Sequence, residues 1–266
     1  MARLCWRASF VKLYIQPCTD HLSSEDGKAM ITFRSVLLAL SGLLLLAPMA
    51  NAEACVVLLH GLARSSTSMW LMELRLQDEG YFTVNESYPS TTTPLRELIE
   101  TVPPPRVAQC GDRRPIHFVT HSMGGVIMRG HLAKHQIDGL GRLVLLAPPN
   151  KGSELVDTMK EIPGFEWVNG PAGAALSADI DSIPNTISDA DAEYGVIAGN
   201  LSLNPLYSSL IPGDDDGKVS VESTKFAAMT DHITLYVSHT FIMNSTEVTK
   251  QAIAFLKTGQ FEHPGE

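Results

Sequence analysis

Charged residues, and basic ones in particular, are scarce in this sequence. Asp, Glu, Lys and Arg make up 18% of the 266 residues, against roughly 25% in an average soluble domain. The 20 Lys and Arg are outnumbered by 29 Asp and Glu, which gives a formal net charge of −9. A basic face that could neutralise phosphates is missing, so we expect no nucleic-acid partner. The sequence also lacks repeats and low-complexity segments, which excludes collagenous, coiled-coil and disordered proteins.

Long runs without any ionisable side chain are also scarce, and the segment from Ser35 to Ala52 is one of them. Arg34 precedes it, its centre is apolar, and it ends in the small-x-small sequence Ala-Asn-Ala. These are the three parts of a secretory signal peptide. Counting from Met30 gives the usual signal length of about 15 to 30 residues, whereas counting from Met1 exceeds it. We therefore predict a signal peptide at 30–52, cleaved after Ala52.

This prediction divides the chain into an upstream extension at 1–29, the signal peptide at 30–52 and one folded domain at 53–266. The folded domain is then expected to be exported to the periplasm or the exterior. An uncleaved membrane anchor is the alternative, although a spanning helix needs about 20 apolar residues and Gly42 and Pro48 interrupt this run.

Cysteine is rare, with four in the whole chain. Cys5 and Cys18 lie before the predicted cleavage site, so the exported domain keeps Cys55 and Cys110. An oxidising compartment favours a single disulfide between two remaining cysteines. Two unpaired thiols are the alternative that composition alone leaves open.

From Cys55 onward, short apolar runs alternate with longer amphipathic ones, which is typical of a parallel sheet covered by helices on both faces. Six strands are predicted: VVLLHG from Val56, YFTVNES from Tyr81, IHFVTHS from Ile116, RLVLLAP from Arg142, YGVIAGN from Tyr194 and ITLYVSH from Ile233. The longer segment at about 151–193 is rich in Gly, Pro and Ala, and we interpret it as a small cap insertion. The predicted fold class is α/β, with a mostly parallel, doubly wound sheet.

The segment HFVTHSMGGVIM indicates a nucleophile on a tight turn between a strand and a helix. Ser122 follows the strand, and Gly124 and Gly125 open the helix, whose N-terminus favours developing negative charge. The G-x-S-x-G pattern has Gly two residues before the serine, where this chain has Thr120. Threonine is small enough to fit there at the cost of some crowding.

A serine needs a general base, and His239 is the best candidate. It follows the apolar run ITLYVS and opens a loop at the carboxyl end of the sheet, where open α/β folds carry their sites. His232 precedes the same run and is expected at the opposite edge. Core or surface positions are expected for three other histidines: His117, His131 and His135.

The base in turn needs a carboxylate to hold its tautomer. Three adjacent acids follow the fifth predicted strand, and Asp216 is the best placed because Gly217 lets a turn aim it inward. Asp214 and Asp215 are expected to stay in water.

Backbone groups are predicted to stabilise the oxyanion, namely the N–H of Leu62 in the loop after the first strand and the N–H of Met123. Gly61 allows that loop to approach the nucleophile closely. Six residues are predicted to line an acyl pocket, and for each of them packing of the cap onto the sheet is the alternative. They are Phe165, Trp167, Leu176, Ile180, Leu206 and Tyr207.

These motifs resemble those of the α/β-hydrolase fold and, within it, of secreted bacterial serine esterases and lipases. The resemblance covers residues 54–258 and rests on VVLLHGLARS, VTHSMGGVIM, LLAPPNKGSELVD, GDDDGKVSVES and VSHTFIM. It implies the same site residues: Ser122, Asp216, His239, Leu62 and Met123. Some lipases of this group also carry Thr at the position of Thr120. The family's sheet order sets the strands after Cys55 and Cys110 side by side, which favours the disulfide, and the family's first two antiparallel strands are missing here.

The predicted activity is hydrolysis of a small-molecule or lipid ester through an acyl-serine intermediate, without a cofactor or catalytic metal. Transient contact with a membrane surface is compatible with such a substrate, and the sequence does not fix the oligomeric state. An acyltransferase or thioesterase using the same triad is one alternative. A membrane-anchored binding protein without turnover is the other.

Overall fold

The computed structural model describes residues 53–263, except for the side chains of Glu166 and Val168. The predicted extension at 1–29 and signal peptide at 30–52 lie outside the described residues. Among the described residues, no helix combines the length and apolar character needed to span a bilayer.

One six-stranded sheet forms the centre of the domain, in the order β2-β1-β3-β4-β5-β6, and every pairing in it is parallel. The strands are β1 (Cys55–Leu59), β2 (Phe82–Asn85), β3 (Ile116–His121), β4 (Leu140–Leu146), β5 (Tyr194–Gly199) and β6 (Met229–Leu235). All six predicted strands are confirmed, as is the parallel doubly wound class. Their near-continuous apolar sequences reflect burial of the sheet on both faces.

The last strand begins earlier than predicted, at Met229 rather than Ile233. His232 therefore lies inside β6, not before it, and its Nε2 is hydrogen-bonded to Thr224 Oγ1 at 3.0 Å. The polar residues at 230–232 hid this start from the sequence pattern, because an edge strand needs only one apolar face.

Helices cover both faces of the sheet. They are α1 (Trp70–Asp78), α2 (Leu95–Thr101), α3 (Pro103–Gln109), α4 (Met123–Leu132), α5 (Glu154–Met159), α6 (Phe165–Ala174), α7 (Ile183–Thr186), α8 (Pro205–Ser208) and α9 (Thr246–Thr258). Side chains of α2 and α4 pack on one face of the sheet, and side chains of α1 and α9 pack on the other. Alternate residues of β1 point into these two cores, because successive side chains of a strand face opposite sides of the sheet. The helices that connect the parallel strands form the outer layer on each side.

A disulfide joins Cys55, the first residue of β1, to Cys110, which directly follows α3. This confirms the predicted pairing, and β1 and β3 are neighbours in the sheet as the resemblance implied. The bridge closes a loop with a sequence separation of 55, for which chain entropy predicts about 4 kcal/mol of stabilisation.

The segment predicted as a cap carries α5, α6 and α7 between β4 and β5. Arg129 of α4 holds both ends of this segment. Its guanidinium donates to Asn150 Oδ1 at 3.1 Å and to Asp189 Oδ1 at 3.0 Å, and it stacks 4.1 Å from the centre of the Phe226 ring. The cap is thereby tied to the helix that begins at the candidate nucleophile.

Candidate active site

Ser122 lies on a sharp turn between β3 and α4. Its backbone angles are φ 53° and ψ −121°, a left-handed conformation that non-glycine residues rarely adopt. The Ser122 N–H donates to the Leu146 carbonyl at 2.8 Å, so the neighbouring strand helps to hold the turn. The strain lifts the hydroxyl clear of the backbone at the carboxyl end of the sheet.

The two glycines after the serine are packed so closely that a Cβ at either position would crowd neighbouring atoms. A Cβ on Gly124 would lie 2.8 Å from the Leu59 carbonyl oxygen, which is backbone and has no room to move. A Cβ on Gly125 would lie 3.4 Å from Thr120 Oγ1 and 3.0 Å from Pro148 Cβ. Gly125 thus leaves the volume that Thr120 occupies in place of the usual glycine. Within the described chain, the buried Thr120 hydroxyl has no hydrogen-bond partner.

The structure brings Ser122, His239 and Asp216 together in one hydrogen-bonded line. Ser122 Oγ lies 3.1 Å from His239 Nε2, and His239 Nδ1 lies 2.7 Å from Asp216 Oδ2. All three residues are buried. Because Asp216 accepts from Nδ1–H, Nε2 is left free to accept the serine proton. The geometry is that of a nucleophile, a base and an orienting acid.

Backbone contacts fix the acid and the base relative to each other. Asp216 Oδ1 accepts the N–H groups of Lys218 at 3.0 Å and Val219 at 2.9 Å, which turns Oδ2 toward the histidine. The His239 N–H also donates to the Asp216 carbonyl at 3.0 Å. The side-chain pair is therefore held by a second connection between the two loops.

The neighbouring acids differ from expectation at one position. Asp214 is exposed as predicted, but Asp215 is buried, and the prediction that it stays in water was wrong. Its carboxylate accepts the Gly217 N–H at 2.7 Å and the Ser208 hydroxyl at 2.6 Å. These bonds shape the turn that presents Asp216, a role that composition alone does not reveal.

The loop after β1 passes directly over the nucleophile. A Cβ on Gly61 would lie 3.2 Å from Ser122 Cβ and 2.8 Å from His121 Nδ1, so only glycine permits this approach without displacement. Among residues 53–263, neither the Leu62 N–H nor the Met123 N–H donates a hydrogen bond. Two unused donors beside the serine are what an oxyanion requires.

His60 holds the carbonyl side of the Gly61–Leu62 peptide, and sequence reasoning had not assigned it a role. The Tyr88 N–H donates to His60 Nε2 at 3.1 Å, so Nδ1 carries the proton and donates to the Gly61 carbonyl at 2.9 Å. Burial lowers the pKa of His60, which favours this neutral form. Tyr88 stacks on the imidazole with ring centres 4.0 Å apart. Because a trans peptide points its C=O and N–H in opposite directions, this bond also orients the Leu62 N–H.

His121 is a second residue that sequence reasoning missed, although it directly precedes Ser122. Its Nε2–H donates to the His239 carbonyl at 3.1 Å, and its ring centre lies 4.9 Å from that of His239. Burial lowers the pKa of His121 well below its ordinary value, and the His239 ring lowers it further. A neutral His121 therefore supports the backbone of the candidate base.

A cavity of about 550 Å³ opens beside Ser122 and His239. Its wall is largely apolar and comes mainly from the cap, including Phe165 and Trp167 as predicted. Leu176 and Tyr207 line it as well, as predicted. Leu206 and Ile180 do not line it, because their side chains face outward and are 67% and 90% exposed. Trp167 is itself 91% exposed, which sets it at the rim. Within residues 53–263, no group of His, Cys, Asp and Glu is arranged to hold a metal ion.

The fold is that of the α/β-hydrolases, as comparison with solved structures shows. A lipase of Bacillus licheniformis in its mature form superposes with a TM-score of 0.62 at 18% identity, over 78% of this chain and 92% of that one. A metagenomic carboxyl esterase superposes with a TM-score of 0.57 at 19% identity, over 73% and 66%. An esterase from Exiguobacterium antarcticum gives 0.50 at 15% identity, over 78% and 93%. No protein-family model and no curated protein matches the sequence.

Proposed function

We propose that this chain is an exported serine hydrolase that cleaves carboxylic esters through an acyl-serine intermediate. The observation that carries the proposal is the line from Ser122 Oγ through the His239 ring to Asp216 Oδ2, with separations of 3.1 and 2.7 Å. A serine hydroxyl is a poor nucleophile near neutral pH, and a base within hydrogen-bond reach removes its proton during attack.

In the proposed first half-reaction, Ser122 Oγ attacks the ester carbonyl carbon while its proton passes to His239 Nε2. The carbonyl oxygen becomes an oxyanion and accepts hydrogen bonds from the N–H groups of Leu62 and Met123. The tetrahedral intermediate then breaks its bond to the alcohol oxygen, which takes the proton from His239. An acyl-serine and a free alcohol result.

In the second half-reaction, a water molecule replaces the alcohol and gives its proton to His239 as it attacks the acyl carbon. The intermediate collapses, the proton returns to Ser122 Oγ, and a carboxylic acid leaves. Asp216 stays ionised throughout and stabilises the imidazolium that forms twice in the cycle. The apolar cavity wall, with Phe165 and Trp167, suits an apolar acyl chain.

Export is part of the proposal. The disulfide between Cys55 and Cys110 supports it, because disulfides persist in oxidising compartments and are rare in the cytosol. Intact-mass measurement of the protein recovered outside the cytoplasm tests this directly. The expected N-terminus is Glu53, whereas a chain that retains 30–52 would support the membrane-anchored alternative.

The catalytic proposal is tested by initial rates on p-nitrophenyl esters of short and medium acyl length. Ser122→Ala and Asp216→Asn are compared with Asp214→Asn, which makes the same chemical change on an exposed neighbouring acid. We expect a loss in kcat of about 10⁶-fold for Ser122→Ala and about 10⁴-fold for Asp216→Asn, and Asp214→Asn should retain the wild-type rate.

Covalent labelling separates the rivals. A fluorophosphonate should attach to Ser122 with loss of fluoride, giving one mass adduct that Ser122→Ala does not form. Labelling without ester hydrolysis would support an acyltransferase or thioesterase. If the folded protein shows no labelling and no turnover, the proposal is contradicted and a binding protein is favoured.

A further inference from the structure

Two basic side chains line the cavity that contains Ser122. Arg64 comes from the loop after β1, two residues past Leu62, and Lys218 comes from the loop that carries Asp216. The described residues that line this cavity include no Asp or Glu. Among the side chains that the structure describes, a largely apolar cavity thus carries two positive charges and no carboxylate.

Most cationic side chains of the described domain are paired with carboxylates. Ten Lys and Arg side chains among residues 53–263 form ion pairs with carboxylates: Arg113, Arg114, Arg129, Lys134, Arg142, Lys151, Lys160, Lys225, Lys250 and Lys257. With the carboxylates whose side chains the structure describes, Arg64 and Lys218 form none, and neither do Arg75, Arg96 and Arg106. Of these five cations, Arg64 and Lys218 line the cavity and the other three do not. With a formal net charge of −9, carboxylates are in excess over the whole chain. A shortage of carboxylates therefore does not explain why these two cations in one cavity lack an ion pair.

Holding both cations in the cavity has an electrostatic cost. Burial lowers the pKa of the Arg64 guanidinium. Lys218 is exposed, but desolvation by the surrounding cavity wall lowers the pKa of its ammonium, the Arg64 charge lowers it further, and Asp216 offsets part of this effect. Because Asp216 already accepts two backbone N–H groups and the His239 ring, its carboxylate is occupied. An anion between the two cations would relieve their repulsion.

Both cations lie near His239 in the cavity wall. Arg64 Nη2 donates to the carbonyl of Thr240 at 3.3 Å, the residue after His239. The Lys218 carbonyl accepts the Ser153 hydroxyl at 2.9 Å, which fixes that loop against the wall. In the proposed reaction the alcohol oxygen takes its proton from His239 Nε2, so the alcohol part of the ester must face His239 as it departs.

We propose that Arg64 and Lys218 form an anion subsite, and that the ester taken by this site combines an apolar acyl chain with an alcohol part bearing a phosphate or carboxylate group. This inference rests on the proposed serine hydrolase function. Arg64 suits such a group because its planar guanidinium can donate two parallel hydrogen bonds to one oxoanion. Serine acylation then releases the anionic alcohol, and water releases the carboxylic acid.

A pair of substrates that differ only in one charge provides the main test. The first is 4-nitro-3-octanoyloxybenzoate, whose leaving phenol carries a carboxylate, and the second is its neutral methyl ester. Each rate is divided by the rate of alkaline hydrolysis, which removes the difference in intrinsic reactivity. We expect the wild-type kcat/KM to favour the anionic ester by about tenfold at low salt and less at high salt.

Variants assign that preference to residues. Arg64→Gln and Lys218→Gln should each lower the anionic-to-neutral ratio by about fivefold, which corresponds to a partly exposed ion pair. Arg96→Gln is the matched control, since Arg96 is exposed, forms no ion pair within residues 53–263 and lies outside the cavity. An unchanged ratio in both cavity variants, with hydrolysis still dependent on Ser122, would overturn the subsite and leave the hydrolase function standing.

Two further substrate pairs locate and classify the anion. The p-nitrophenyl monoester of suberic acid, compared with p-nitrophenyl octanoate, carries its charge on the acyl side and should gain no advantage. A preference there would overturn the assignment to the alcohol side. Pairing 1-octanoylglycerol 3-phosphate with 1-octanoylglycerol tests a lipid phosphate against the soluble carboxylate of the first pair.

A binding measurement is independent of turnover. Octyl phosphate titrated into Ser122→Ala should bind, and adding Arg64→Gln or Lys218→Gln should weaken its Kd by about fivefold. Binding in the absence of any ester turnover would support the subsite while the hydrolase proposal fails. No binding, or binding insensitive to both cations, would overturn the subsite.

Discussion

Replacing Gly61 by Ala should damage the candidate oxyanion site while leaving the fold intact. The φ of Gly61 lies outside the left-handed region, so alanine fits the backbone conformation. Its Cβ, however, would lie 2.8 Å from His121 Nδ1. His121 cannot retreat easily, because it is buried and its Nε2–H is bonded to the His239 carbonyl. The loop must therefore move, and Leu62 moves with it.

The size of the effect follows from the required displacement. Restoring an ordinary contact distance takes a shift of about half an ångström, and misplacement on the order of 1 Å at a catalytic group costs about 10²-fold in rate. We expect Gly61→Ala to lower kcat/KM for p-nitrophenyl butyrate by about 10- to 100-fold, mainly through kcat. The midpoint of urea unfolding should change little, because Gly61 belongs to neither of the two apolar cores that flank the sheet.

Gly130→Ala is the matched control. Its Cβ would lie 2.7 Å from Ile99 Cδ1, nearly the same crowding, but in the core between α4 and α2. Overpacking there should cost about 1 kcal/mol after the gain in helix propensity, with kcat/KM within about twofold of wild type. Wild-type turnover by Gly61→Ala, or an equal loss in Gly130→Ala, would refute the reasoning.

Three further predictions concern stability. Burial, together with the nearby Arg142 charge, lowers the pKa of His117 to about 4. Between that value and the ordinary histidine pKa, the unfolded chain binds a proton at His117 and the folded chain does not. Stability should fall by about 2 kcal/mol between pH 7.5 and 5 from this group, and urea unfolding of His117→Asn should show a correspondingly smaller loss. Replacing Cys55 and Cys110 together by Ala should cost about 4 kcal/mol and make unfolding insensitive to dithiothreitol; a wild-type midpoint would contradict it. Arg129→Ala should cost about 3 kcal/mol, and Asp189→Asn less than about 1 kcal/mol because that carboxylate is partly exposed; equal losses in calorimetry would argue against Arg129 as the clamp.

The sequence by itself determined the local elements. Continuous apolar runs are enough to identify six buried parallel strands, because a strand covered on both faces has no polar side to show. The strand, the tight turn and the two glycines around Ser122 are contiguous, so their pattern could be read directly. The chain order of Ser122, Asp216 and His239 follows from which loops end at the carboxyl edge of a parallel sheet.

The sequence did not determine which polar groups meet within that edge. His121 and His60 support the backbones of His239 and Gly61, yet each looks like an ordinary strand-end residue in the sequence. Their partners are far along the chain, with separations of 118 residues for His121 and His239 and 28 for His60 and Tyr88. A periodic pattern reports burial and not the identity of the neighbour.

Only the tertiary structure decided how His239 reaches the nucleophile. β6 is at the edge of the sheet, with β4 and β5 between it and β3, and strands lie about 4.8 Å apart. The loop after β6 must therefore run back across the sheet, and the Leu201 N–H and the Asp216 carbonyl hold it there through Val237 and His239. Arg64 and Lys218 line one cavity because loops from opposite halves of the sheet converge above its carboxyl edge. Sequence specifies the strands through local burial, whereas the site depends on long-range contacts that exist only once the sheet has assembled.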